Sequence, residues 1–238
     1  MMKIAILGYG KMGKVIEEIA LKRGHSIALK VNQTNLDFDR ELLSDCDVAI
    51  EFSSPESAVD NINKCFETNI PVVVGTTGWY AQFNTVQERC VSENKALLHA
   101  TNFSVGVNIF YEINKKLAAL MDANSQYDVE VEETHHTQKL DAPSGTAISI
   151  AEGIIDNMDR KDSWKNDAIV STNELAIESI RTEDVPGTHI VKYESDIDVV
   201  EIKHEAKNRN GFAFGAVLAA EYINGKNGIF TMKDVLSL

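Results

Sequence analysis

Residues 3–13 read Lys3-Ile4-Ala5-Ile6-Leu7-Gly8-Tyr9-Gly10-Lys11-Met12-Gly13. A short apolar strand runs into G-x-G-x-x-G, and Val15, Ile16, Ile19 and Ala20 follow at helical spacing within Lys14–Arg23. That context turns a weak motif into a nucleotide-binding expectation. Gly8 permits the tight turn, Gly10 lets backbone approach a pyrophosphate, and Gly13 allows close helix–strand packing. The N–H groups at the helix start then hold the anion, with Tyr9, Lys11 and Met12 between the glycines. The bland alternative is a βα turn with no ligand. An acidic residue usually ends the second strand and binds the adenosine ribose. Here the strand ends Lys30-Val31-Asn32. Asn32 can bond a ribose hydroxyl and lacks the charge that repels a 2′-phosphate. Lys30 or Lys11 could attract one, or be ordinary solvated lysines. The sequence therefore allows NADH or NADPH.

Outward from this loop, the pattern of the first ~100 residues repeats as βαβ units. Strands are predicted at Ser26–Val31, Asp47–Phe52, Pro71–Val74 and Ala96–His99, with helices over Pro55–Glu67 and Trp79–Glu93. Continuous apolar strands alternating with helices imply a parallel sheet covered on both faces. After Asn102 the pattern changes. Val107–Met121 is a long helix and Tyr127–Glu133 an alternating, half-exposed strand. Ala147, Ile150, Ala151, Ile154, Ile155 and Met158 form one helical stripe, and Ile177–Arg181, His189–Tyr193 and Val199–Lys203 read as antiparallel strands. Gly211–Tyr222 returns to helix. The expected fold is α/β: a Rossmann-type dinucleotide-binding domain at 1–104, completed by 213–238, and an α+β substrate and oligomerisation domain at 105–212. The second sheet is expected to be mixed and largely antiparallel.

The 238 residues carry a formal net charge of −13, with 44% hydrophobic and 25% charged residues. A chain this acidic is a poor partner for nucleic acid phosphates or anionic membranes. No run of about 20 apolar residues predicts a membrane span. Cys46, Cys65 and Cys90 are odd in number and lack CxxC spacing, which argues against a disulfide framework or zinc site and for a reducing cytoplasm. Anionic ligands would need positive charge gathered locally.

Such a gathering lies at Glu133-Thr134-His135-His136-Thr137-Gln138-Lys139-Leu140-Asp141-Ala142-Pro143-Ser144-Gly145-Thr146-Ala147. Two histidines and a lysine precede a turn that opens the apolar helical stripe. The N–H groups of Gly145 and Thr146 would point out of a helix start, which suits a carboxylate. Histidine titrates near neutrality and can act as a general acid, and lysine supplies a point charge. Taken singly, these are a solvated loop, an unmatched metal pair or a helix cap; no metal is expected. Their succession in so few positions favours function.

This run resembles the substrate-domain signature of the dihydrodipicolinate reductase family, E-x-H-H-x-x-K-x-D-A-P-S-G-T-A. The resemblance extends over the whole chain: Gly75-Thr76-Thr77-Gly78 is similar to the family's nicotinamide-side loop, Ala100–Asn108 to its crossing segment, and Gly225–Leu238 to its C-terminus. It implies NADH- or NADPH-dependent reduction of 4-hydroxy-tetrahydrodipicolinate, with loss of water, on the diaminopimelate route to lysine. It implies His135 as proton donor, assisted by Lys139, with His136, Gly145 and Thr146 on a cyclic dicarboxylate. Gly8 to Gly13, Asn32, Gly75, Thr76, Thr77, Ala100, Thr101, Asn102 and Phe103 would line the cofactor. It also implies a homotetramer built through the second sheet. Because the cofactor and substrate sites are expected on different domains, closure should bring them together, with Gly106 and the segment around Phe212 as candidate hinges. Many members have a third histidine where Gln138 stands and an acid near Asn32. An amino-acid dehydrogenase is the nearest rival, but such enzymes do not share the His-His…Pro-Ser-Gly-Thr run. A non-catalytic nucleotide sensor, the rival of another class, would be expected to lose the proton donor or the Gly-Thr pair.

Overall fold

The structure is a computed structural model that describes every residue except 33, 35–37, 39, 169 and 209. In chain order the strands and helices are β1 (Lys3–Leu7), α1 (Lys11–Lys22), β2 (Ser26–Val31), α2 (Arg40–Ser44), β3 (Val48–Glu51), α3 (Pro55–Glu67), β4 (Val72–Val74), α4 (Phe83–Ser92) and β5 (Ala96–His99). They continue as α5 (Val105–Asp122), β6 (Asp128–His136), α6 (Gly145–Ile155), β7 (Ser163–Lys165), β8 (Glu174–Thr182), β9 (Thr188–Glu194), β10 (Val199–Glu205), α7 (Asn210–Ile223), β11 (Gly228–Phe230) and α8 (Met232–Leu236). The chain forms two compact units, Met1–Val105 with Asn210–Leu238, and Gly106–Arg209.

The first unit is a six-stranded sheet in the order β11-β5-β4-β3-β1-β2, parallel throughout. Strand alternation sends Ala5, Leu7, Ala49, Val72, Val74 and Leu97 to one face, against Ile62, Cys65 and Phe66 of α3 and Val86 and Cys90 of α4. Ile4, Ile6, Val48, Ile50, Val73 and Leu98 face the other way, against Ile16 and Ala20 of α1 and the alanines of α7. This period of two explains why the strands read as continuous apolar runs: both faces are buried. The sheet changes winding direction between β1 and β3, where parallel α/β sheets bind ligands beyond their strand ends. The helix expected over Trp79–Glu93 begins later: Trp79 is buried, Tyr80–Gln82 is a 3₁₀ turn, and α4 starts at Phe83. Burial pushes the Cys46 and Cys90 thiols up to about 11, so these cysteines behave as core residues.

The second unit is a five-stranded sheet in the order β10-β9-β6-β8-β7. The strands at 174–205 are not a run of antiparallel neighbours. β8 pairs parallel with both β6 and β7, while β9 pairs antiparallel with β6 and β10. β6 lies between β8 and β9, so these two consecutive strands do not touch as a hairpin. Val129 and Val131 of β6 bury one face with Leu175, Ile177, Val191 and Tyr193, beneath Ile150, Ala151 and Ile154 of α6 and Phe110 and Ala118 of α5. Gly106 and Phe212, the expected hinges, sit in the first turns of α5 and α7. Among the described residues no helix is long and apolar enough to cross a membrane.

Candidate active site

In the first unit the glycine loop joins β1 to α1. Gly8 has φ +109°, and a Cβ there would lie 2.0 Å from the Phe52 carbonyl oxygen. A Cβ on Gly13 would lie 2.6 Å from the Gly8 oxygen. Both positions exclude side chains by packing within the chain. Gly10 differs: a Cβ there meets nothing within 4 Å. Gly10 caps α1 without a side chain, so the first-turn N–H groups are left for an outside acceptor. Beside it is a cavity of about 810 Å³ lined by Gly8, Tyr9, Gly10, Asn32, Phe52 and Ser53 among others. A glycine cradle, an uncapped helix start and an adjacent cavity fit a dinucleotide pyrophosphate.

Met12 is half-buried and Lys11 exposed on the same turn. The Lys30 ammonium is 2.5 Å from Glu17 and lies over the Tyr9 ring, whose hydroxyl also bonds Glu17. Lys30 is therefore already neutralised, and hydrogen bonding to Lys30 and Tyr9 holds the Glu17 carboxyl below its ordinary value. Asn32 Oδ1 accepts from the Thr34 N–H at 2.8 Å and from its hydroxyl at 2.7 Å.

Phe52, which the sequence did not single out, links the three loops of this unit. A Cβ on Gly75 would meet the Phe52 ring at 2.1 Å, and the Phe103 ring packs 5.6 Å from it, centroid to centroid. Thr76 is buried, with Oγ1 accepting from the Ser53 N–H at 2.8 Å and its carbonyl from Trp79 Nε1 at 2.9 Å. Asn102 Oδ1 accepts from the Ser104 N–H at 2.9 Å. Thr77 and Thr101 are exposed, and Ala100 is half-buried. The signal for Phe52 is its place just past the end of β3, next to the winding reversal.

In the second unit, β6 runs on through His136, three residues beyond the expected end. Alternation places His135 on the face of Val129, Val131 and Glu133, and His136 on the opposite face. The adjacent histidines are thus separated: His136 and Gln138 line a different cavity, of about 610 Å³, with Glu183 and Lys207. Lys139 Nζ donates to both carboxylate oxygens of Asp141, each at 2.8 Å. After the cis Ala142–Pro143 bond, Ser144 caps α6, its Oγ accepting from the Ala147 N–H at 3.1 Å. Gly145 is exposed, and a Cβ there meets nothing within 4 Å. Thr146 is half-buried and hydrogen-bonds Tyr111. The start of α6 thus follows His135 and Lys139 within a few residues, and a helix N-terminus has the chemistry of a carboxylate site.

Beneath this turn is a buried ionic cluster. Glu133 Oε1 accepts from the Ser144 N–H at 3.0 Å and from Arg181 Nη2 at 2.9 Å, and Oε2 lies 2.8 Å from His135 Nδ1. Burial alone would raise the Glu133 carboxyl. Bonds from His135, Ser144 and Arg181 outweigh it and hold the group well below the carboxylate range. His189 Nε2 is 3.3 Å from Ser144 Oγ, and burial with the His135 charge pushes this imidazole down to about 3, so it is neutral. Glu133, His135 and His189 bring possible metal-ligand atoms within 4.8 Å of one another, but Arg181 already neutralises the carboxylate. Arg181 and His189 were not legible as site residues, because each is one polar residue on a distant strand.

The two units are matched separately by known families. Residues 2–103 match "Dihydrodipicolinate reductase, N-terminus", and residues 106–236 match "Dihydrodipicolinate reductase, C-terminus". The chain belongs to the dihydrodipicolinate reductase family. A 4-hydroxy-tetrahydrodipicolinate reductase of Christiangramia forsetii is 51% identical over 238 residues, covering 99% of this chain and 98% of the relative. One from Neisseria meningitidis is 33% identical over 268 residues, covering 100% and 98%. Among solved structures, a dipicolinate-bound dihydrodipicolinate reductase from Paenisporosarcina sp. TG-14 superposes with a TM-score of 0.77 at 21% identity, covering 98% of each chain. That likeness shows the dihydrodipicolinate reductase fold.

Proposed function

We infer that the chain reduces 4-hydroxy-tetrahydrodipicolinate to tetrahydrodipicolinate with loss of water, using NADH or NADPH, in lysine synthesis through diaminopimelate. The observation that carries this reading is the 51% identity, over 99% of the chain, to a reductase of that name. The glycine cradle and the histidine–lysine turn supply the two sites that such a reaction needs. Gly8 to Gly13 would hold the pyrophosphate, with Asn32 toward the ribose. Gly75, Thr76 and Thr77 and the segment Ala100, Thr101, Asn102 and Phe103 line the rest of the nucleotide site.

The bound nicotinamide supplies hydride. Loss of the 4-hydroxyl with an adjacent proton, as water, gives a conjugated C=C–C=N system; hydride addition to its terminal carbon moves the electron pair to the next carbon, which His135 as imidazolium would protonate. The ring carboxylates would be held by the N–H groups of Gly145 and Thr146 and by Lys139, whereas His136 lies on the face of β6 opposite His135. Lys139 must exchange Asp141 for the substrate, a like-for-like trade of carboxylates that keeps the lysine oriented. A cytoplasmic location and a homotetramer, assembled through the face of the second sheet opposite its core, belong to the same reading. Sedimentation velocity measures the latter, and a monomer at all concentrations contradicts it.

The reading is tested by following NADH and NADPH oxidation with substrate made in situ by the preceding synthase. Oxidation that depends on the synthase is expected, and the ratio of rates assigns the cofactor. Oxidation of neither nucleotide overturns the function.

A further inference from the structure

We propose that Glu133 is a positioning residue. Its carboxylate fixes the orientation and tautomer of His135 and, with its other oxygen, the turn that opens α6, so that proton donor and carboxylate-binding N–H groups are held as one piece. This rests on the reading of His135 as the proton donor and of Gly145 and Thr146 as the carboxylate site.

Glu133 is 0% exposed. Burying a carboxylate is unfavourable unless charge and hydrogen bonds compensate it. Oε1 is committed to the Ser144 N–H and Arg181 Nη2. Oε2 faces His135 Nδ1 at 2.8 Å, with His189 Nε2 farther off at 4.0 Å. Among the described residues, neither Oε2 nor His135 Nδ1 makes a hydrogen bond of full geometry: the two atoms face each other at 2.8 Å as an ion-pair contact, and neither is bonded to any other group. Folding alone would be served by an amide that accepts from Ser144. The second oxygen has no other described use than His135.

A carboxylate at Nδ1 keeps the proton on that nitrogen and leaves Nε2 to exchange protons with a ligand. Space on that side is guarded by Gly187, in the β8–β9 connection. A Cβ there would lie 2.9 Å from His135 Nε2. Gly187 is itself fixed by the Ala206 N–H donating to its carbonyl at 2.9 Å. The charged and titratable groups around His135 are Glu133 on β6, Arg181 on β8 and His189 on β9, whose ring is 5.1 Å away, centroid to centroid. Lys139 and His204 act on His189 from the turn and from β10, and Asp141 is paired with Lys139. Glu133 is the anion in contact with the imidazole, and Arg181 offsets it through the opposite oxygen.

The test is E133Q, which keeps the side chain's size and an acceptor for Ser144 but removes the charge. Nucleotide affinity should stay within about twofold, because the cluster belongs to the other unit. The kcat should fall at least about tenfold, as when a histidine loses its carboxylate partner. The loss should fall on kcat with KM within about threefold, and E133D, which restores the charge, should recover part of it; a purely structural role would not give that split. An unchanged kcat, or no recovery in E133D, overturns the proposal. Should E133Q not fold, imidazole nitrogen NMR of the wild-type chain decides. Nδ1 of His135 is expected to stay protonated on both sides of its titration, and a bare Nδ1 in the neutral ring overturns the proposal. A wild-type chain that oxidises no nucleotide defeats the functional reading instead, and leaves the NMR result to judge Glu133.

Discussion

The glycine loop of the first unit and the histidine turn of the second both end at a helix start, yet they prepare it in opposite ways. The turn into α1 is built on glycines: Gly8 is required by the Phe52 carbonyl, Gly13 in the first turn by the Gly8 carbonyl, and Gly10 faces open space. Before α6 the start is capped by Ser144 and underpinned by a buried carboxylate, an arginine and two histidines. The first arrangement offers backbone N–H groups to an anion. The second carries titratable groups and can move a proton. On the proposed reading, an acidic chain of net charge −13 would accommodate two anionic ligands through helix ends and a few paired cations, not through overall charge.

If the first site is backbone alone, crowding it should disrupt structure before chemistry. Gly8→Ala combines a left-handed φ with a Cβ 2.0 Å from a carbonyl oxygen. A loss of about 4 kcal/mol or more is expected in urea unfolding. A variant as stable as wild type would show that the loop yields, and would weaken the contrast. The second site should instead respond to pH. His189 is neutral in the fold, with a value of about 3 against 6.5 for the free side chain, so the unfolded chain takes up the extra proton in that window. Stability is complete above about pH 6.5 and falls as pH drops toward 3. The Glu133 carboxyl, held low, adds in the same direction below its unfolded value. His189→Phe should flatten this dependence by on the order of 3 kcal/mol. An equal slope in the variant would locate the acid sensitivity elsewhere. The smallest effect expected is Lys139→Ala. Loss of one charge-assisted contact to the substrate should cut kcat/KM about 10- to 100-fold with an unchanged circular dichroism spectrum. A normal rate would remove Lys139 from the site.

The same contrast explains what the sequence discloses. The first site is contiguous from Lys3 to Gly13, and β1, β2, α3 and β5 follow directly from local pattern. Phe52 escaped because it acts through loops far along the chain, at Gly8, Gly75 and Phe103. In the second site, Glu133, His135 and Lys139 are adjacent in sequence. Their supports, Arg181 and His189, come from β8 and β9, on either side of β6. Local alternation gives neither strand order nor direction, so β8 read as antiparallel when it runs parallel to β6. Residue pairs such as His135 and His136 look like a cluster until strand period separates them. The short elements α2, β7, β11 and α8, of three to five residues, carry too little periodicity to register.

The division of labour between a nucleotide cradle and a proton-donating turn is tested most directly by His135→Gln, measured for both nucleotide affinity and turnover. The account predicts unchanged nucleotide affinity and a kcat at least about 100-fold below wild type. A wild-type kcat, or a loss explained wholly by weaker nucleotide binding, would contradict it.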